Sequence, residues 1–129
     1  MIIEVVGAVI RDAAGRLLTV RKRGTRRFML PGGKREAGED DFAALAREIR
    51  EELAVELVRS EPIGRFEAEA ANEPGAIVRS HAYALEIAGE IAIGAEIEEL
   101  RWVDPTAPGD VPLAPLLVRC ILPLITSAR

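Results

Sequence analysis

The segment between Asp40 and Leu53 constrains the fold most, because its apolar residues follow a helical period. They recur at intervals of three and four, at Phe42, Leu45, Ala46, Ile49 and Leu53. Successive residues of an α-helix are about 100° apart, so these side chains form one stripe. Asp40 and Asp41 precede the stripe, where the dipole of a first helical turn favours negative charge. The pattern predicts a helix from Asp40 to about Leu53 that packs its apolar stripe against a core.

Three carboxylates lie on another side of this predicted helix. Glu48, Glu51 and Glu52 are spaced i, i+3 and i+4, so they project together, away from the apolar stripe. Their mutual repulsion weakens the helix, and Arg47 and Arg50 offset only part of it. Hard divalent cations prefer such clusters of oxygen ligands. The spacing alone is also typical of a solvated acidic face, so it leaves both interpretations open.

The rest of the chain alternates between strand patterns and turns. Runs rich in Val and Ile or of alternating polarity predict six strands: Ile2–Arg11, Arg16–Arg23, Val55–Val58, Gly64–Ala70, Ala76–Ile87 and Glu99–Asp104. Turn residues at positions 12–15 and 72–75 predict two hairpins. A second helix is expected from Leu113 to Thr126, with Pro123 limiting its end. This order predicts one α/β domain over residues 1–129, with layers of helix against a mixed sheet.

Charge and composition exclude some functions. The net charge of −4 argues against binding of a nucleic-acid polymer through the overall field. Seven of the 17 cations lie between Arg21 and Arg35, directly before the acidic helix, which suits either a magnesium–polyphosphate site or a solvated surface. Cys120 is the single cysteine and cannot form an internal disulfide. With no signal peptide or membrane-spanning run apparent, we expect a cytoplasmic protein that does not associate with membranes.

The residues from Gly33 to Val55 resemble the Nudix box, a 23-residue signature written G-x5-E-x7-R-E-U-x-E-E-x-G-U, in which U is aliphatic. Eight of its nine specified positions match, which makes the resemblance specific. The flanking segments 30–34 (LPGGK) and 100–103 (LRWV) are also typical of the family. The one departure is Ala54, where the family has glycine. Because alanine after a helix would cost about 1 kcal/mol in a left-handed conformation, we expect a longer helix or a different bend of the loop.

The resemblance implies a Nudix-type α/β/α sandwich and a MutT-like hydrolase. Such an enzyme cuts a diphosphate linkage in a nucleoside triphosphate or nucleotide sugar with Mg²⁺ or Mn²⁺, and the family often forms homodimers. Carried over by position, the resemblance implies that Glu48, Glu51 and Glu52 are catalytic metal ligands and that Arg47 orients them. Cofactor and phosphate binding is expected from a second set: Gly32, Gly33, Lys34 and Glu39. The rival hypothesis is a Nudix-fold nucleotide-binding or regulatory module that has lost catalysis.

Several roles stay open at this point. The general base is a glutamate of the box, Glu48 or Glu52, or one of three that precede the last strand: Glu96, Glu98 and Glu99. One or two arginines among Arg21, Arg23, Arg26 and Arg27 hold phosphates together with Lys34, or these arginines face solvent. Phe28 either stacks on a nucleobase or packs in the core, and His81 has a weak claim to substrate contact. Trp102 and Phe66 are expected in the core.

Overall fold

The computed structural model describes residues 1–94 and 96–126. Its strands are β1 (Ile2–Val9), β2 (Leu17–Lys22), β3 (Gly32–Gly33), β4 (Glu56–Glu69), β5 (Ile77–Ala88) and β6 (Ile97–Val103). Its helices are α1 (Asp41–Leu53) and α2 (Leu122–Thr126), the latter preceded by a π-helical turn (Leu117–Ile121). The predicted domain of residues 1–129 also includes residues 95 and 127–129, which lie outside the described part. Within the described ranges, no helix has the length and apolar character needed to cross a membrane.

The predicted mixed sheet is confirmed. Four strands lie in the order β3-β1-β5-β4, with β1 and β5 parallel and the other neighbours antiparallel. The remaining strands, β2 and β6, form a separate antiparallel pair. The sequence did not indicate this second sheet, because alternating polarity identifies a strand without identifying its partner.

The first predicted hairpin forms only next to its turn, and the second is confirmed. The turn after β1 forms, since Asp12 Oδ1 accepts the N–H groups of Ala14 and Arg16. After a bridge between Arg11 and Leu17, however, the two strands diverge into different sheets. Both edges of β1 are already occupied by β3 and β5, so β2 has no free edge to join. The second hairpin joins β4 to β5, and β4 is one long bulged strand instead of the two short ones expected.

Helices cover both faces of the four-stranded sheet, as predicted for a sandwich. On one face, Val6 and Ala8 of β1 pack in a fully buried cluster with Leu45, Ile49 and Leu53 of α1. The predicted stripe of α1 therefore packs on the sheet, except that Phe42 at its start is exposed. On the other face, Val9 and Ala82 belong to a second cluster that includes residues of the C-terminal helical segment: Leu113, Leu117 and Ile121.

The C-terminal helix differs in detail from the prediction. Helical structure begins at residue 115 and continues to Thr126, so Pro123 lies inside it and does not end it. The N–H of Leu122 donates to the carbonyl of Leu117, five residues earlier, in the π-helical turn. A wider turn directly before a proline accommodates both its ring and its missing N–H, which explains why the helix continues.

Candidate active site

Helix α1 is fixed at both ends by its caps. Asp40 lies before the helix as its N-cap, and its carboxylate accepts the N–H of Ala43 at 2.8 Å. At the other end Ala54 has φ 60° and ψ 32°, and its N–H donates to the Arg50 carbonyl at 3.0 Å. Both expectations for Ala54 are therefore wrong, since the helix ends where the family pattern ends it. Alanine adopts the left-handed conformation that glycine usually supplies, at an energetic cost.

The acidic side of α1 meets the short strand β3. A methyl group on Gly33 would overlap the Glu48 carboxylate, so that carboxylate lies directly against the Gly33 backbone. One turn later, Glu52 Oε1 accepts the N–H of Gly32 at 3.2 Å. Gly32 has φ 142°, a conformation that residues with a side chain rarely adopt, and a Cβ there would overlap the Val6 carbonyl of β1. The two glycines thus let the chain pass between β1 and the two carboxylates.

Glu52 is the most perturbed acid of the site. It is 4 % exposed, and its Oε2 has no hydrogen-bond partner within the described residues. Burial raises the pKa of Glu52 to about 8, with a further contribution from the nearby negative charge of Glu48. Two carboxyl groups held together out of water repel each other when both are ionised. A cation between them would relieve this repulsion.

Arg47 organises the surrounding acids. Its guanidinium makes a two-point contact with Glu39, at 2.7 and 3.0 Å, and also donates to the Lys34 carbonyl at 3.0 Å. The remaining nitrogen reaches Glu48 at 3.1 Å and Glu51 at 3.3 Å. These bonds lower the pKa of Glu39 and raise that of Arg47, so both groups stay charged. Arg47 therefore ties the loop before α1 to the acidic side of the helix.

Glu51 is the third predicted ligand, and it is positioned differently. Its side chain is 60 % exposed and contacts only the edge of the Arg47 guanidinium. Next to it, the loop before β6 lies on the end of α1: Gly94 N–H donates to the Glu52 carbonyl at 2.8 Å, and Ala92 N–H donates to that of Leu53 at 2.9 Å. A methyl group on Gly94 would overlap the backbone of Glu51. The sequence did not reveal this contact, which holds the loop leading to Glu96 against the site.

A cleft of about 660 Å³ opens beside these residues. Its polar part is lined by predicted site residues, which are Gly32, Gly33, Lys34, Arg47, Glu48 and Glu51. Lys22 and Glu96 also line it. Its other part is mainly apolar and runs along the sheet beneath the C-terminal segment, between Val5 and Leu116. The cleft therefore has one charged end and one apolar end, which suits a ligand that is itself charged at one end and apolar at the other.

The basic residues divide into two groups. Lys34 and Lys22 line the cleft, whereas the four arginines proposed as phosphate ligands do not, although all four are described. Arg21 pairs with Glu99 and Arg23 pairs with Glu98, on the β2–β6 sheet. Among the three later candidates for a base, only Glu96 therefore reaches the cleft.

Phe28, Trp102, Phe66 and His81 lie outside the residues that line the cleft. Phe28 is 3 % exposed and packs in the core, and the guanidinium carbons of Arg21 and Arg101 lie 5.9 and 5.7 Å from the centre of its ring. Trp102 and Phe66 also pack against core clusters, as expected. His81 lies 3.9 Å from Glu4 and does not line the cleft.

A divalent cation suits part of this geometry directly. Glu48 and Glu52 offer adjacent oxygens, one of them buried and without a partner, over a backbone that leaves no room for a Cβ. These are the hard donors that Mg²⁺ and Mn²⁺ prefer. Across the described ranges, no three acidic, histidine or cysteine side chains are already arranged around a common point. Glu51 would have to turn from Arg47 toward the other two to complete a three-carboxylate set.

The NUDIX domain family matches residues 1–120 of the chain. An 8-oxo-dGTP diphosphatase of Haemophilus influenzae is 35% identical over 82% of this chain and 79% of its own. A CTP pyrophosphohydrolase of Escherichia coli is 33% identical over 88% of this chain and 84% of its own. Among solved structures, a MutT Nudix hydrolase from Burkholderia pseudomallei superposes with a TM-score of 0.77 at 25% identity, covering 92% of this chain and 94% of that one. The E. coli ORF135 protein superposes with a TM-score of 0.72 at 31% identity, covering 96% and 86%.

The chain therefore belongs to the NUDIX family. Within that family it is a Nudix hydrolase of the MutT-like type, since the matched relatives are a diphosphatase and a pyrophosphohydrolase.

Proposed function

We propose that this Nudix hydrolase is a metal-dependent nucleoside triphosphate diphosphohydrolase that uses Mg²⁺ or Mn²⁺ held by Glu48, Glu51 and Glu52. The observation that carries the proposal is the contact between Glu48, which lines the polar end of the cleft, and the buried Glu52, which lies beside the Gly32 backbone and does not itself line the cleft. Uncompensated carboxyl groups destabilise a fold, so their close packing is best explained by a cation. A nucleotide supplies the polyphosphate for the polar end and the base for the apolar end.

Each residue of the site has a definite part in this proposal. A bound divalent cation neutralises phosphate charge and makes a water molecule easier to deprotonate. Arg47 keeps Glu48 pointing toward the cleft and anchors Glu39, so it is a positioning residue. Lys34 and Lys22 line the cleft with positive charge and would hold the substrate phosphates. Gly32 and Gly33 allow a phosphate to approach the backbone without a Cβ in the way.

The general base is best assigned to Glu52 or Glu96. Glu52 combines burial, a raised pKa of about 8 and contact with the other box carboxylate. Glu96 lines the cleft from the loop that packs on the end of α1, within the same site. The pH dependence of kcat/KM can be measured for variants at Glu52 and at Glu96. The residue whose replacement removes a plateau of that profile at high or low pH is the general base.

The relatives and the cleft together support one substrate class. The matched relatives are named for 8-oxo-dGTP and CTP, both of them nucleoside triphosphates. A cleft of about 660 Å³ with one charged and one apolar end accommodates a nucleotide. We therefore place nucleoside triphosphates ahead of nucleotide sugars as substrates.

Turnover of a nucleoside triphosphate panel with Mg²⁺ tests the proposal. Wild-type protein should release nucleoside monophosphate and pyrophosphate, and Glu48→Gln should lower kcat/KM by at least about 100-fold. The matched control is Glu61→Gln, which changes an exposed glutamate of β4 outside the cleft and should leave the rate unchanged. If the folded protein hydrolyses no nucleotide of the panel, the rival hypothesis of a Nudix-fold nucleotide-binding or regulatory module would be favoured. Equal kcat/KM values for wild type and Glu48→Gln would show that Glu48 is not a required metal ligand.

A further inference from the structure

We propose that the hydroxyl of Ser80 is a specificity-determining group that hydrogen-bonds the edge of the nucleobase in the apolar part of the cleft. This inference rests on the proposed hydrolysis of a nucleotide. It concerns the end of the cleft that is remote from the acidic residues.

Ser80 is unusual among the buried polar residues. Three such residues are described: Thr19, Glu52 and Ser80. The hydroxyl of Thr19 donates to the Arg101 carbonyl at 2.8 Å, and Glu52 accepts from Gly32. Ser80 is 1 % exposed, yet its hydroxyl forms no hydrogen bond with any part of the chain that the structure describes. A hydroxyl in the wall of a cleft that no described protein group bonds is available to a ligand, so a role in binding is the simplest reason for it.

The surroundings of Ser80 direct its hydroxyl toward the cleft. In the parallel pair of β1 and β5, Val5 lies opposite Ser80 and Ile3 lies opposite Val78, so these four side chains share one face of the sheet. All four line the cleft. The neighbouring position on β1 is Gly7, where a methyl group would lie 2.8 Å from Ser80 Oγ. Because Gly7 has no side chain, the space beside the hydroxyl is bounded by the Leu30 side chain and not by a residue of β1.

The chemistry of this compartment suits a nucleobase held without ring stacking. Among the described residues that line the cleft, none is aromatic. The residues of β1 and β5 that line it are aliphatic apart from Gly7 and Ser80, and the other wall includes Leu30, Ala114 and Leu116. Polar side chains also line the cleft from the end of β4 and the turn after it, at Glu69, Asn72 and Glu73. Flat aliphatic walls accept the faces of a base, and the hydroxyl of Ser80 is the polar side-chain group that β1 and β5 offer to a ring nitrogen or an exocyclic oxygen or amine.

Kinetics on substrates with and without a base test the inference. We would compare wild type, Ser80→Ala and Ser60→Ala on the four common deoxynucleoside triphosphates, 8-oxo-dGTP and the baseless 2-deoxyribose 5-triphosphate, all with Mg²⁺. Ser60 is a half-buried serine of β4 that does not line the cleft, so it is the matched control. Ser80→Ala should lower kcat/KM about fivefold or more for the preferred nucleotide, mostly through KM, and leave the baseless substrate unchanged. Its Tm should be unchanged or higher, because the unbonded hydroxyl is gone.

The outcomes separate the two proposals. If wild type hydrolyses nucleotides but Ser80→Ala affects all substrates equally, or affects none, the role of Ser80 is refuted while the proposed function stands. If wild type hydrolyses no substrate of the panel, the proposed function fails and takes this inference with it. Should Ser80→Ala not fold, Ser80→Cys keeps the side-chain volume, is a poor hydrogen-bond partner and gives the same comparison.

Discussion

Replacing Ala54 by glycine should stabilise this protein without changing its chemistry. Ala54 is the single non-glycine residue of the described chain with positive φ. The left-handed conformation costs a residue with a Cβ about 1 to 2 kcal/mol. The methyl group is exposed, so its removal sacrifices no buried contact, and the N–H that donates to the Arg50 carbonyl remains. Glycine in turn makes the unfolded chain more flexible, which opposes the gain by about 0.4 to 1 kcal/mol.

The net gain for Ala54→Gly is therefore about 1 kcal/mol. Unfolding entropy near Tm is roughly 2 cal/mol/K per residue, so for 129 residues this gain corresponds to a rise in Tm of about 4 °C. Differential scanning calorimetry measures the shift, and kcat should equal that of the wild type. The matched control is Ala43→Gly, an exposed position inside α1, which should lower Tm because helical φ carries no strain for alanine. An unchanged or lower Tm for Ala54→Gly would refute the strain argument.

Two further predictions concern the carboxylates. The pKa of Glu52 is about 8 in the folded protein and about 4.5 in the unfolded chain. In EDTA, which removes bound metal, the protonated Glu52 therefore stabilises the folded state fully below about pH 4.5. This contribution to the free energy of unfolding is lost as the pH rises toward about 8. Tm measured from about pH 5 to about pH 8 should thus fall more for wild type than for Glu52→Gln, by several degrees, and parallel curves would contradict the assignment. Gly33→Ala should displace the flexible Glu48 carboxylate and weaken Mg²⁺ binding at least about tenfold in calorimetric titration, with stability changed by less than about 1 kcal/mol. If Gly33→Ala binds Mg²⁺ as tightly as the wild type, the position of the Glu48 carboxylate against Gly33 is not required for metal binding.

The helix and its acidic side were predictable because both depend on local periodicity. The intervals between Leu45, Ile49 and Leu53 determine which side packs on the sheet, and those between Glu48 and Glu52 place two carboxylates together. The burial and raised pKa of Glu52 were not predictable, since they depend on Gly32 of another element and on the closure of the chain around the site.

Long-range pairing was the main feature that the sequence did not reveal. A turn such as Asp12–Gly15 suggests a hairpin, but the competition of β3 and β5 for the edges of β1 is decided by the whole fold. The same holds for the loop that bonds the last carbonyls of α1 through Ala92 and Gly94. The role proposed for Ser80 was not predictable for a related reason, because its hydroxyl lies next to Gly7 of a different strand and the sequence does not reveal that pairing.

The most direct test of the metal site is a crystal structure with Mn²⁺ and a non-hydrolysable nucleoside triphosphate, with the metal located by its anomalous signal. The account predicts Mn²⁺ bound by the carboxylates of Glu48, Glu51 and Glu52, with the polyphosphate at the polar end of the cleft. Mn²⁺ bound elsewhere, or a polyphosphate outside the cleft while Glu48 and Glu52 stay as an unliganded pair, would contradict it.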